Sequence, residues 1–92
     1  MKTTGVGFIL SVGHKGHGHS YQCVAWYRFG PDVVALQRQI EAVREMFDHQ
    51  NLMDDLELGE KLAEEIGRQL PGCIRVDVDR PLERIYARWE KD

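Results

Sequence analysis

Apolar residues fall along the chain with a period that shifts from two to between three and four, then back to two. Val6 to Gly13 is apolar-rich and bounded by glycine, which predicts a first strand. A tight polar run follows, Gly13-His14-Lys15-Gly16-His17-Gly18-His19-Ser20. Tyr21 to Phe29 is rich in aromatic and β-branched residues, a second strand stopped by Gly30-Pro31. Asp32 then suits a helix N-cap, and Val33, Leu36, Ile40, Val43 and Phe47 recur at steps of three and four as one helical stripe. That pattern ends at Asp48-His49-Gln50-Asn51. A second helix is expected from near Asp54-Asp55, where acidic side chains suit the positive end of a helix. Leu58, Leu62, Ile66 and Leu70 form its stripe, and Pro71-Gly72 ends it. Ile74, Val76 and Val78 next alternate with Arg75, Asp77 and Asp79, the period of a half-buried strand. Pro81 breaks that strand. Ile85, Ala87 and Trp89 then alternate with Tyr86, Arg88 and Glu90 in a last one.

The order is therefore ββααββ, an α+β fold. Two antiparallel hairpins around a helix pair predict a four-stranded antiparallel sheet with both helices on one face. The 92 residues hold no repeat, low-complexity stretch or linker, so a single domain, 1–92, is expected. The second strand is apolar on both sides, with Val24 and Trp26 on one and Cys23, Ala25, Tyr27 and Phe29 on the other. Two helices cover one face of so small a sheet. The other face and the sheet edges then need a further surface, and a homo-oligomer is expected.

Composition narrows the function classes. Hydrophobic residues are 42% and charged residues 29%, which suits a globular chain and argues against disorder. A net charge of -3 gives no reason to expect nucleic acid or an anionic membrane surface as partner. No apolar run approaches the ~18 residues needed to span a bilayer. The N-terminal stretch has too short an apolar run and no clear cleavage site for a secretory signal, so a cytoplasmic location is expected. Cys23 and Cys73 lie in strand-like runs without a CxxC spacing and read as reduced, buried thiols.

His14, His17 and His19 carry the candidate chemistry. On extended backbone, a spacing of two puts His17 and His19 on the same side, and His14 can close over them from the end of the preceding strand. Three neutral imidazoles with one position open describe a catalytic zinc site. A His/Gly loop that takes up metal incidentally accounts equally well for the spacing alone.

Four segments in order add a family resemblance. His17-Gly18-His19-Ser20-Tyr21 resembles the H-G-H-N-Y of the 6-pyruvoyl/6-carboxytetrahydropterin synthase family. Phe47-Asp48-His49-Gln50-Asn51-Leu52 is similar to its L-D-H-x-N-L, Gly59-Glu60-Lys61-Leu62-Ala63 to its A-E-N-L-A, and Val76-Asp77-Val78-Asp79-Arg80-Pro81 to its V-x-V-x-E-T-P. The resemblance covers nearly the whole chain and implies the tunnelling fold (T-fold). It also implies a homo-oligomeric ring, a trimer or hexamer, with active sites between subunits.

By that resemblance His14, His17 and His19 are zinc ligands, and the zinc polarises and orients hydroxyls of a small-molecule pterin. The implied substrate is 7,8-dihydroneopterin triphosphate or a related dihydropterin, and the reaction a carbon–oxygen lyase step. His49 would shuttle the proton, with Asp48 orienting its ring; without the resemblance this pair reads as a polar helix C-terminus. Asp79 would hold the guanidine-like edge of the pterin, and Glu60 would contact substrate or simply be a solvated helix residue.

The sequence departs from the family in three places. The usual catalytic cysteine has no counterpart in the short Lys15-Gly16 connection. Cys23 shares the strand parity of His17 and His19 but lies roughly 13 Å from His19 along the strand. Asp79 is one methylene shorter than the family's glutamate, and Leu58 stands where the family has threonine. The alternatives are a non-catalytic member that binds zinc and a pterin-like ligand, and a metal-binding module unrelated to pterins.

Overall fold

The computed structural model describes residues 2–14, 17–28, 32–47 and 59–92, with residues 12–14 and 17–19 described as backbone. The period-two runs form strands β1 (Thr4–His14), β2 (His17–Tyr27), β3 (Cys73–Arg80) and β4 (Ile85–Glu90), and the helical stripes form α1 (Val33–Phe47) and α2 (Glu60–Gln69). The strands make one antiparallel sheet in the order β1-β2-β3-β4. The chain is thus an α+β fold in which each hairpin pairs its own strands and β2 joins β3 across the helices.

The first ladder is longer than the polar pattern suggests. It runs from Thr4 opposite Tyr27 to His14 opposite His17, leaving only Lys15 and Gly16 between the strands. Glycines and histidines that read as a loop are instead strand residues, because the backbone ladder continues regardless of how polar the side chains are.

α1 starts as its sequence directs. The Asp32 carboxylate accepts hydrogen bonds from the backbone N–H groups of Val34 at 3.0 Å and Ala35 at 3.4 Å, satisfying donors that the first turn leaves open. Leu36, Ile40 and Val43 are buried and Phe47 packs against the core, while Val33 at the first turn is exposed. α2 begins at Glu60, later than the expected start near Asp54-Asp55; those residues and Leu58 lie outside the described residues. Gly59 precedes it at φ 92°, a conformation that only glycine adopts readily. A Cβ there would also come within 3.3 Å of Ala87.

One cluster of buried side chains joins Leu36, Ile40 and Val43 of α1 to Leu62, Ala63, Ile66 and Leu70 around α2, and both to the sheet. The sheet contributes Leu10 from β1, Tyr21, Cys23, Ala25 and Tyr27 from β2, and Val76 and Val78 from β3. Both helices therefore cover the same face. A bulge in β3 corrects the simple alternation: Trp26 pairs with Arg75 but Tyr27 pairs with Cys73, skipping Ile74. Cys73 is consequently buried and Ile74 only half-buried. The bulge does not end the ladder, since the Lys91 N–H donates to the Ile74 carbonyl at 2.9 Å.

Gly67 sets the distance between α2 and β4. A Cβ at this position would lie 2.2 Å from the Trp89 ring. Ala replacing Gly inside a helix normally stabilises by about 0.5–1 kcal/mol. Here the sign should reverse, with Gly67→Ala losing about 1–3 kcal/mol through overpacking. Urea unfolding should show a lower midpoint for Gly67→Ala, and pairing it with Trp89→Leu should restore most of the loss.

Candidate functional site

Strand length positions the histidines. β1 and β2 each contain 11 residues, whereas β3 has 8 and β4 has 6. The β2–β3 register covers Gln22 through Tyr27, so the histidine end of the hairpin overhangs the rest of the sheet. There the Cα of His14 stands opposite that of His17, and His19 stands opposite Val12. His17 and His19 share the strand parity of Tyr21, Cys23, Ala25 and Tyr27, all buried beneath the helices. His14 shares the parity of Leu10, the partner of Tyr21. The backbone thus brings three imidazole-bearing positions to one end of one sheet face, beyond the buried pair Leu10 and Tyr21. Among the described residues there is no group of three or more His, Cys, Asp or Glu side chains that could hold a metal ion, and the side chains of His14, His17 and His19 lie outside them.

Next to this end lies a residue that the sequence reading did not single out. Continuing the register places Arg80 beside Tyr21, and its guanidinium lies over the Tyr21 ring, 5.7 Å from the centroid. Arg80 is only 7% exposed and is paired with the Glu83 carboxylate. Its signal was present: Val76, Val78 and Arg80 share parity, which marks Arg80 for the helix-covered face.

The helix-free face carries a different chemistry. Trp26 donates its indole N–H to the Asp77 carboxylate at 2.9 Å, and Arg75 makes two hydrogen bonds to the same group at 3.1 and 3.0 Å. Arg88, the cross-strand partner of Asp77, adds a bond at 3.1 Å. The Arg75 guanidinium also lies 5.4 Å from the Trp26 ring centroid. Burial, the largest influence on Asp77, disfavours its charge. The hydrogen bonds from Arg75 and Trp26, the Arg75 charge and the Arg88 bond outweigh that and hold its carboxyl below the ordinary 3.8. Asp79 is shifted the other way, raised by burial and then by the nearby Asp77 charge.

The expected site residues therefore separate. Asp79 pairs with Gln22 and Tyr86 on the helix-free face, so within one chain the sheet stands between it and the histidine parity. Glu60 is exposed in the first turn of α2, where a carboxylate suits the positive helix end. Asp48 and His49 lie outside the described residues. Cys23 is buried in the core, and burial, followed by the Asp79 charge, pushes its thiol up to about 12. At neutral pH it holds almost no thiolate and is no nucleophile. Cys73 is also buried, with its thiol raised chiefly by desolvation.

The Asp77 cluster gives a pH signature. Its lowered folded value means that its stabilisation is present above the unfolded value near 3.8 and is lost as pH falls through the lower folded value. Asp77→Asn should cost about 1 kcal/mol at neutral pH, the two arginines being partly solvated. The difference from the wild type should shrink to nothing in strong acid, as read from urea midpoints across that range.

Comparison of the chain with protein-family models and with curated protein sequences gives no match to either, so the functional reading rests on residues and register alone.

Proposed function

We propose that the chain is a T-fold subunit of the 6-pyruvoyl/6-carboxytetrahydropterin synthase type, a zinc-dependent carbon–oxygen lyase for 7,8-dihydroneopterin triphosphate or a related dihydropterin. The observation that carries this reading is the hairpin register, with His14 opposite His17 and His19 two residues further on the same parity. Cross-strand Cα atoms stand about 4.5–5.5 Å apart and same-face neighbours along a strand about 7 Å apart. Imidazoles on such positions suit one tetrahedral ion with a position left open. His14, His17 and His19 would hold the zinc, which when bound supplies Lewis acidity toward the substrate's hydroxyls.

The protein supplies the rest. His49 exchanges the proton at the substrate side chain, and Asp48 orients its ring and steadies its charged form. Glu60 is assigned a supporting substrate contact. Asp79 holds the pterin edge, and because the sheet divides it from the histidines of its own chain, it reaches a histidine end only in an assembly. A trimeric or hexameric ring answers that need, and it also occupies the overhanging hairpin and the uncharged 11-residue edge of β1. We place the protein in the cytoplasm; among the described residues no helix is long and apolar enough to cross a membrane.

A second reading, a non-catalytic member that binds zinc and a pterin-like ligand, is favoured by the cysteines. The chain has two, and both are buried in the core with raised thiol values. Neither can take the role of the family's catalytic thiol.

The test is turnover of 7,8-dihydroneopterin triphosphate by zinc-loaded protein, following triphosphate release and the pterin products by mass. His49→Ala should lower the rate by about 10²–10⁴-fold, the usual worth of a general acid–base group. His17→Ala should lose zinc and turnover together. Zinc and pterin binding in an intact oligomer without turnover would select the second reading, and a monomer that binds neither would overturn both.

A further inference from the structure

Two carboxylates stand two residues apart on the helix-free face of β3, and the chain supports them unequally. Asp77 is well supplied with donors, from the Trp26 indole, Arg75 and the cross-strand Arg88. Asp79 receives no side-chain hydrogen bond among the described residues, and the donor that bears on it there is the Ala87 backbone N–H. The cations nearby are committed elsewhere, Arg75 to Asp77, and Arg88 to Asp77 and Glu90. An ionised carboxylate accepts about four hydrogen bonds, so most of the capacity of Asp79 is left for another donor. Burial, and then the Asp77 charge, raise its carboxyl above the ordinary value. A donor brought from outside would relieve that charge.

Position then gives the arrangement a use. Asp79 lies in a row across the sheet, with Gln22 of β2 on one side and Tyr86 of β4 on the other. Strands stand about 4.8 Å apart, so the row spans about 10 Å, wide enough for a fused bicyclic ring. Tyr86 is 68% exposed, and Gln22 is exposed as well. A single exposed tyrosine on a strand is ordinary. Here it stands directly beside a half-buried carboxylate that lacks donors, and the pair is complementary to one kind of ligand. A guanidine-like edge presents two parallel N–H groups that match both carboxylate oxygens. The flat ring carrying that edge stacks on an aromatic face. The Gln22 amide, which both donates and accepts, borders the carboxylate on the far side.

We propose that Tyr86 determines ligand specificity on the helix-free face: it stacks on a flat ring whose guanidine-like edge the Asp79 carboxylate takes, and Gln22 bonds the far side of that ring. The inference rests on the pterin reading for the use of this row in a working site. The preference for an aminopyrimidinone edge stands on Gln22, Asp79 and Tyr86.

Pterin and lumazine are the probes, since lumazine keeps the bicyclic ring and replaces the amino group with an oxo group. Each is titrated into the protein, and its ring fluorescence reports the binding. The wild type should bind pterin saturably and at least about tenfold more tightly than lumazine. Asp79→Asn should erase that preference. Tyr86→Thr, which keeps the strand preference and removes the ring, should weaken both probes about tenfold, and Tyr86→Phe should restore wild-type affinity. Gln22→Ala should weaken pterin about fivefold. Tyr86 and Gln22 are exposed, so urea midpoints of these variants should stay near that of the wild type. Equal affinity for the two probes, no saturable binding, or pterin binding indifferent to Tyr86→Thr would each overturn the proposal. Turnover of 7,8-dihydroneopterin triphosphate by the same proteins separates the two ideas. Turnover whose KM ignores Tyr86→Thr sinks this inference and leaves the lyase reading standing. Discrimination of the probes through Asp79 and Tyr86 without turnover sinks the lyase reading and leaves this one.

Discussion

The pairing of β1 with β2, from Thr4 opposite Tyr27 to His14 opposite His17, fixes which side chains face the helices and which face away. A slip of one residue would exchange the two sets. Leu10 would leave its place beside Tyr21, and His14 would move to the face of Gln22, Val24 and Trp26, away from the parity of His17 and His19. Register is strongly specified because one face is so well buried: Leu10, Ala25 and Val76 have no exposed surface, and Tyr21, Cys23 and Val78 have about 1%. The hydrophobic core that stabilises the sheet therefore also sets the histidine face. Chemistry at the hairpin end is thus tied to packing several residues away.

Much of this was legible in the sequence because period-two alternation and helical stripes are direct consequences of one-sided burial. Val76 and Val78, Ala87, the Leu36–Ile40–Val43 stripe and the Asp32 cap all stand where the pattern put them. What the pattern missed has physical reasons. The β3 bulge exchanged Ile74 for Cys73, since an extra residue inverts parity without changing composition. Val33 fits the stripe, but at the first turn of α1 it precedes the buried part of the helix. The left-handed Gly59 fixes the start of α2 at Glu60, whereas acidic residues such as Asp54-Asp55, which lie outside the described residues, suit a helix end without fixing it.

The strand positions of the histidines were legible, and the arrangement of charges was poorly so. Spacing alone placed His17 and His19 on one side, and the ladder brings His14 across from them. Charge arrangement is a property of neighbouring strands, so no linear reading pairs Asp77 with Arg88 before the register is known. Arg75, two residues earlier, was the local half of that cluster, and Trp26 supplied a donor from a strand 51 positions away. Asp79 shows the same limit. Its motif carries no face, and its parity sets it opposite the histidines of its own chain.

Trp26 also refines the case for association. A strand apolar on both sides suggests a face that demands a cover, but part of that cover comes from within the chain. Its indole packs so close to Gly5 that a Cβ there would lie 2.9 Å from the ring, while Arg75 lies over it and Asp77 takes its N–H. Trp26 and Val24 end half-buried with no second chain. The stronger demand comes from the edges and the overhang. Natural sheets commonly blunt an exposed edge with charge or proline. β1, with 11 residues and neither, is an edge strand of the sheet among the described residues. An interface that completes this edge would bring a second chain alongside the histidine end, so the feature that most calls for a partner is the strand that carries His14.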